Sequence, residues 1–143
     1  MRYKEYGKGR RFLGRLDYES DIIEEIEGFA SGMDISAAFV QVIGALKKVK
    51  IGYYDQDERV YKELNFDRHL EIIQCAGNIT LKDNKPKAHL HITLGDEEGN
   101  TFSGHLMEGS VVFAGEAYID ELRGEALHRG YDETTGLPLW ENI

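Results

Sequence analysis

Lys87-Ala-His-Leu-His-Ile-Thr-Leu-Gly-Asp-Glu-Glu-Gly-Asn-Thr-Phe-Ser-Gly-His-Leu-Met-Glu-Gly109 decides the reading of this chain. Two segments that alternate polar with apolar residues flank Asp96-Glu-Glu-Gly-Asn100, which predicts a β-hairpin. Gly99 suits a left-handed backbone position, so the turn reads as a three-residue loop of Glu97, Glu98 and Gly99, with Asp96 opposite Asn100. Counting back from that turn puts His91 opposite His105 and His89 opposite Met107. One face then carries His89, His91, Thr93, Thr101, Ser103 and His105, and the other carries Leu90, Ile92, Leu94, Phe102 and Leu106. A loop of two or four residues would put His105 among the leucines, and a one-residue slip would reverse every side chain.

Three of the five histidines therefore meet on one face. Histidines on a strand commonly face solvent or fill a hydrogen bond, and a His-x-His pair by itself is weak evidence. A third imidazole, placed opposite by an independent turn argument, makes His89, His91 and His105 a candidate metal site. Three imidazoles with an open position suit zinc, although other divalent transition metals such as nickel, copper and iron accept the same ligands.

Working outward, the chain reads as a single α+β domain over residues 1–143 with a mainly antiparallel sheet. A tail over 1–9 precedes a strand at Arg10–Asp17. A helix follows from Glu19 or Ser20 to about Ala30, with Ile22, Ile23, Ile26, Phe29 and Ala30 at helical spacing and Gly32 as its stop. Ile35 to Leu46 is nearly all apolar and fits a central strand, or a short helix and then a strand. Further strands are expected around Val49–Tyr53, Arg59–Asn65, His69–Leu81, His89–Gly95, Thr101–Met107 and Ser110–Leu122. The links are too short for parallel crossovers. In the extension from Arg123 to Ile143, Leu137-Pro-Leu-Trp140 predicts packing onto the body or onto a neighbouring subunit.

The 143 residues suffice for one domain that buries roughly two-thirds of its unfolded surface. A net charge of −9 argues against a generic polyanion binder. Two basic groups still occur, one near the N-terminus that includes Arg10, Arg11 and Arg15, and one at Lys47, Lys48 and Lys50. They read as solubilising surface or, for Arg10, Arg11 and Arg15, as candidate nucleic-acid contacts. Cys75, the one cysteine, reads as a small buried strand residue with no local base. An internal disulfide is excluded, in keeping with a reducing compartment, and no apolar run approaches membrane-spanning length. A cytoplasmic location and no membrane partner are expected.

The order of residues resembles the plant- and prokaryote-conserved (PPC) domain, which in plants accompanies AT-hook motifs. The resemblance runs from about Arg11 to Leu137. It is carried by Ser36-Ala-Ala-Phe-Val, Ile43-Gly-Ala-Leu, Ile51-Gly-Tyr-Tyr-Asp55, Leu70-Glu-Ile-Ile, Gly77-Asn-Ile, His89-Leu-His, Gly104-His-Leu-Met-Glu-Gly109 and Thr135-Gly-Leu137. His-x-His followed by Gly-His-Leu is its most specific element. Ser103 stands where the common form has a second glycine before Gly104. The resemblance implies a homotrimer, a DNA-binding or regulatory role by analogy with the plant proteins, and a metal at His89, His91 and His105. The AT-hook core, Arg-Gly-Arg-Pro, is missing here: Gly9-Arg-Arg11 and Gly14-Arg15 lack the following proline. A trimer would carry about −27, which repels DNA.

Two functional classes follow: a trimeric interaction or DNA-linked regulatory module, and a small zinc-dependent hydrolase or small-molecule-binding protein built on the same histidines. A hydrolase would need a proton acceptor. Glu108 and Glu116 are candidates, with His69 and His128 as free imidazoles. Gly104, Gly109 and Gly115 would permit close backbone approach.

Overall fold

The computed structural model describes residues 1–143. Nine strands and one helix follow in the order β1 (Gly7–Leu16), α1 (Ile22–Gly32), β2 (Ala38–Asp55), β3 (Val60–Phe66), β4 (Leu70–Lys82), β5 (Lys85–Gly95), β6 (Thr101–Leu106), β7 (Val111–Arg123), β8 (Arg129–Tyr131) and β9 (Pro138–Trp140). The architecture is α+β. The main sheet runs β1-β7-β2-β4-β5-β6, with β3 on β2 and a further β2–β6 contact, and every ladder is antiparallel.

The ambiguous run from Ile35 resolves as strand from Ala38 onward. Val40 and Val42 are buried and alternate with exposed Phe39, Gln41 and Ile43, a period of two that no helix presents. The strand continues unbroken to Asp55 because irregularities near Gly44 and Leu46 let it bend without ending. Gly44 takes φ +141, and a Cβ there would run into the Ala114 carbonyl. The first strand starts at Gly7, ahead of the expected Arg10, because Gly7 and Lys8 pair with Arg123 and Leu122.

The helix begins at Ile22, later than the expected Glu19 or Ser20. Asp21 is the N-cap, and its carboxylate accepts from the backbone N–H of Ile23 and Glu24. Ile22, Ile23, Ile26 and Ala30 turn inward and join Val40, Val42, Leu90, Ile92, Leu94 and Leu106 in one core beneath one face of the sheet. The opposite face, which carries the histidines, is open where β1, β7 and β2 run. Leu13 is 86% exposed there, with Phe39 at 44% and Ile43 at 49%. Cys75 is fully buried, and its burial pushes the thiol up to about 12, so it is an inert core residue. No helix is long and apolar enough to cross a membrane.

Candidate metal centre

The hairpin forms in the expected register. His91 pairs with His105, Thr93 with Ser103 and Gly95 with Thr101. The Asp96 N–H donates to the Asn100 carbonyl, the Gly99 N–H donates to the Asp96 carbonyl, and Gly99 takes φ +82. Met107 departs from the expectation: β6 ends at Leu106, and the Met107 N–H donates to the Lys50 carbonyl, so it does not pair with His89. A second turn keeps β5 in phase from its other end. Asp83 and Asn84, at φ +50 and +60, close β4 onto β5 with Lys82 opposite Lys85, the geometry of a two-residue type I′ hairpin.

The three histidines converge. One ring nitrogen from each of His89, His91 and His105 lies within 4.8 Å of the others. Ring centroids are 5.3 Å apart for His89–His91, 5.1 Å for His89–His105 and 5.6 Å for His91–His105. His91 is exposed and the other two are partly buried. Burial holds His89 at about 4, helped by the charge of Arg129 and by His91. Burial likewise holds His105 at about 4, followed by the effects of His89, His91, Arg129 and Lys87. Both are therefore neutral near pH 7, which leaves ring lone pairs free for a metal. Nδ1 of His105 is shut off from solvent and has no hydrogen-bond partner. An orphaned polar atom of that kind costs about 1–3 kcal/mol, and an arrangement that gives the ring a strong ligand interaction offsets it. The donor set and the orphaned nitrogen both fit a divalent transition metal.

Three elements frame the cluster. Tyr61 on β3 lies over His105 with centroids 5.2 Å apart. It can do so because residue 52, beneath it, is glycine, whose absent Cβ would meet the tyrosine ring at 2.7 Å. Behind the sheet, Glu27 of α1 accepts from the Ala88 N–H at 2.9 Å and pairs with Lys87, tying β5 to the helix. On the third side the C-terminal residues fold back. Trp140 Nε1 donates to Thr80 Oγ1, the Leu81 N–H donates to the Leu127 carbonyl, and Leu137, Pro138 and Leu139 wall a cleft of about 1090 Å³ that contains the histidines.

Neither carboxylate considered as a proton acceptor reaches this cleft. Glu108 pairs with Lys87 at 2.8 Å, and Glu116 lies opposite Arg15 and Ile43 on β7. His69 stacks near Phe113, and His128 is drawn into a bridge with Leu81. Gly104 lines the cleft, Gly109 makes a turn at φ +99, and Gly115 instead packs against Leu16. The cleft residues that sequence reasoning missed are Tyr61 and Arg129. Neither sits in a pattern that points to a site, because each arrives from an element distant in sequence.

The N-terminal basic residues lie opposite acids. Arg10 forks onto Glu121 at 2.7 and 2.9 Å and donates to the Met33 carbonyl. That contact draws the Glu121 carboxyl down to about 2. Arg11 pairs with Asp120 at 3.3 Å, and Arg15 faces Glu116 in the β1–β7 register.

Comparison with known proteins matches residues 3–123 to a family model described as the Plants and Prokaryotes Conserved (PCC) domain. The crystal structure of a metal-containing protein from Archaeoglobus fulgidus is 42% identical, with a TM-score of 0.95 over 99% of this chain and 100% of that one. A plant- and prokaryote-conserved protein from Pyrococcus horikoshii is 36% identical, with a TM-score of 0.94 over 100% of this chain and 99% of that one. Among curated proteins, 75% of the chain matches the bifunctional protein GlmU of Synechococcus sp. (strain JA-3-3Ab) at 29% identity. The chain spans only 16% of that relative's length.

Proposed function

Since the chain belongs to the Plants and Prokaryotes Conserved domain family, we propose that it is a homotrimeric metal-binding protein whose His89, His91 and His105 hold a divalent transition metal, zinc foremost, at the floor of a small-molecule cleft. The observation that carries this reading is the meeting of three imidazoles within 4.8 Å. The metal content named for the Archaeoglobus fulgidus relative supports it. Three protein ligands leave a position open, and a metal held there acts as a Lewis acid toward a bound oxygen. The chain's own contribution is to orient the rings from two paired strands, to cover His105 with Tyr61, and to narrow access with the 137–139 segment.

The cleft has no carboxylate to serve as a proton acceptor. This favours ligand binding, or chemistry that needs no such base, over the hydrolase alternative. DNA binding through Arg10, Arg11 and Arg15 is the weaker reading, because each faces a carboxylate of β7. The uncovered sheet face with Leu13, Phe39 and Ile43 supports self-assembly. The test is elemental mass spectrometry on untagged protein beside His91→Ala. About one metal per chain, lost in the variant, is the expected result. No metal in either protein overturns the reading.

A further inference from the structure

Seventeen basic residues against 26 acidic ones make this a strongly anionic chain, yet the histidine cleft has the opposite character. No aspartate or glutamate lines it, whereas Arg59, Lys82, Lys87 and Arg129 do. Lys87 is neutralised by Glu27 and Glu108. Arg59 donates only to the backbone carbonyls of Glu133 and Thr134, and neither Lys82 nor Arg129 has an ion pair.

Arg129 is the telling residue. Nε donates to Thr80 Oγ1 at 2.9 Å, Nη2 to Asn78 Oδ1 at 2.7 Å and Nη1 to the Pro138 carbonyl at 3.2 Å. All three acceptors are neutral, and two of the five guanidinium N–H groups remain uncommitted. Asn78 pairs with His89 across β4 and β5, and Thr80 pairs with Lys87, so the guanidinium is anchored on the histidine face beside the cluster. The side chain is half-buried, and burial lowers its basicity with no carboxylate to oppose that effect. A partly desolvated, rigidly held cation without a counter-ion is costly unless an anion arrives. Arg10, by contrast, has a carboxylate partner in Glu121.

We infer that the cleft takes a small molecule bearing an oxyanion group, a carboxylate or a phosphate, and that Arg129 receives it through its planar fork while the rest of the molecule extends over the histidines. This rests on the reading of the cleft as the working site, and it does not require the metal to be bound. Arg59 and Lys82, both exposed on the cleft's lining, draw the anion in.

Trp140, the only tryptophan, supplies the readout. Its ring lies 5.5 Å from the Arg129 guanidinium, and its Nε1 shares the Thr80 hydroxyl with Arg129 Nε. The experiment titrates malonate and, separately, inorganic phosphate into the full chain at fixed ionic strength, with chloride as the control. Tryptophan fluorescence is followed in metal-loaded and chelator-treated protein, for the wild type and Arg129→Gln. The Arg129 Nε–H resonance of the wild-type protein is followed in parallel, so the result does not depend on the variant folding. Expected is a saturable change with at least one probe, a matching midpoint for the Arg129 resonance, and at least tenfold weaker binding in Arg129→Gln. The tighter probe names the source, carboxylate or phosphate. No saturable change with either probe, or a change that leaves the Arg129 resonance unmoved, overturns the inference. Anion binding by protein that takes up no metal when metal is supplied would sink the metal reading and leave this one standing. Metal binding without anion binding would do the reverse.

Discussion

Gly77 lies against the backbone of His89. A Cβ on Gly77 would overlap the His89 carbonyl oxygen and press on Leu90 Cα at 2.9 Å. The close approach of β4 to β5 that places His89 in the cluster thus depends on a missing side chain one strand away.

Gly77→Ala is expected to destabilise the protein by about 1–3 kcal/mol, the range for forcing an extra methyl into a packed site. It should also weaken metal binding, because the strain falls on the His89 backbone. Denaturant unfolding with and without chelator separates the two effects. A variant as stable as wild type, with unchanged metal affinity, would contradict the geometry.

The metal-free protein should lose stability as pH falls from about 6.5 to about 4. His89 and His105 sit at about 4 in the folded chain and near their ordinary 6.5 when unfolded. Between those values the unfolded chain binds more protons, so acid favours unfolding, and this contribution is fully present above 6.5. Glu121, drawn down to about 2 by Arg10, adds a separate loss as pH falls from about 4.5 toward 2. Urea midpoints measured at half-unit intervals should show the upper step vanish in His89→Gln/His105→Gln while the lower step persists.

Arg10→Ala should lower the unfolding midpoint more than Arg11→Ala or Arg15→Ala. Only Arg10 forks onto the buried Glu121, which the substitution would strand. DNA affinity measured across a salt series should be weak and unresponsive to all three changes. A steep salt dependence abolished by Arg11→Ala and Arg15→Ala would revive the nucleic-acid reading.

Phe39→Asp with Ile43→Asp should convert a trimer to monomers. Both side chains lie on the uncovered sheet face, and charge there opposes burial between copies. Light scattering on the eluted protein gives the mass directly. A wild-type protein that elutes as a monomer would refute the assembly.

What could be read in the residue order was whatever short-range chemistry determines. The 97–99 turn sets the register of β5 and β6, so the meeting of His91 with His105 was legible from Gly99 together with the polar–apolar alternation on either side. The apolar run at Ile35–Leu46 was not, because a fully apolar segment carries no period until the core chooses which side to cover. Asp21 is the cap in place of Glu19 or Ser20, and residue order does not decide among three neighbouring candidates. Its preference shows only once Gly109 N–H donates to its second carboxylate oxygen, at 2.6 Å. Arg129 and Tyr61 reach the site across long sequence separations, 40 and 44 residues from His89 and His105 respectively, and no local pattern encodes such a meeting.

The cleft is assembled from two parts of the chain that lie far apart in sequence. The histidines lie inside the 3–123 stretch that matches the family, while Arg129 and the 137–139 wall lie beyond it. Substitutions at Arg129 or in 137–139 therefore reshape the wall of the cleft without altering the strands that position the imidazoles. Floor and wall therefore answer to different residues, and a substitution in one leaves the elements of the other in place.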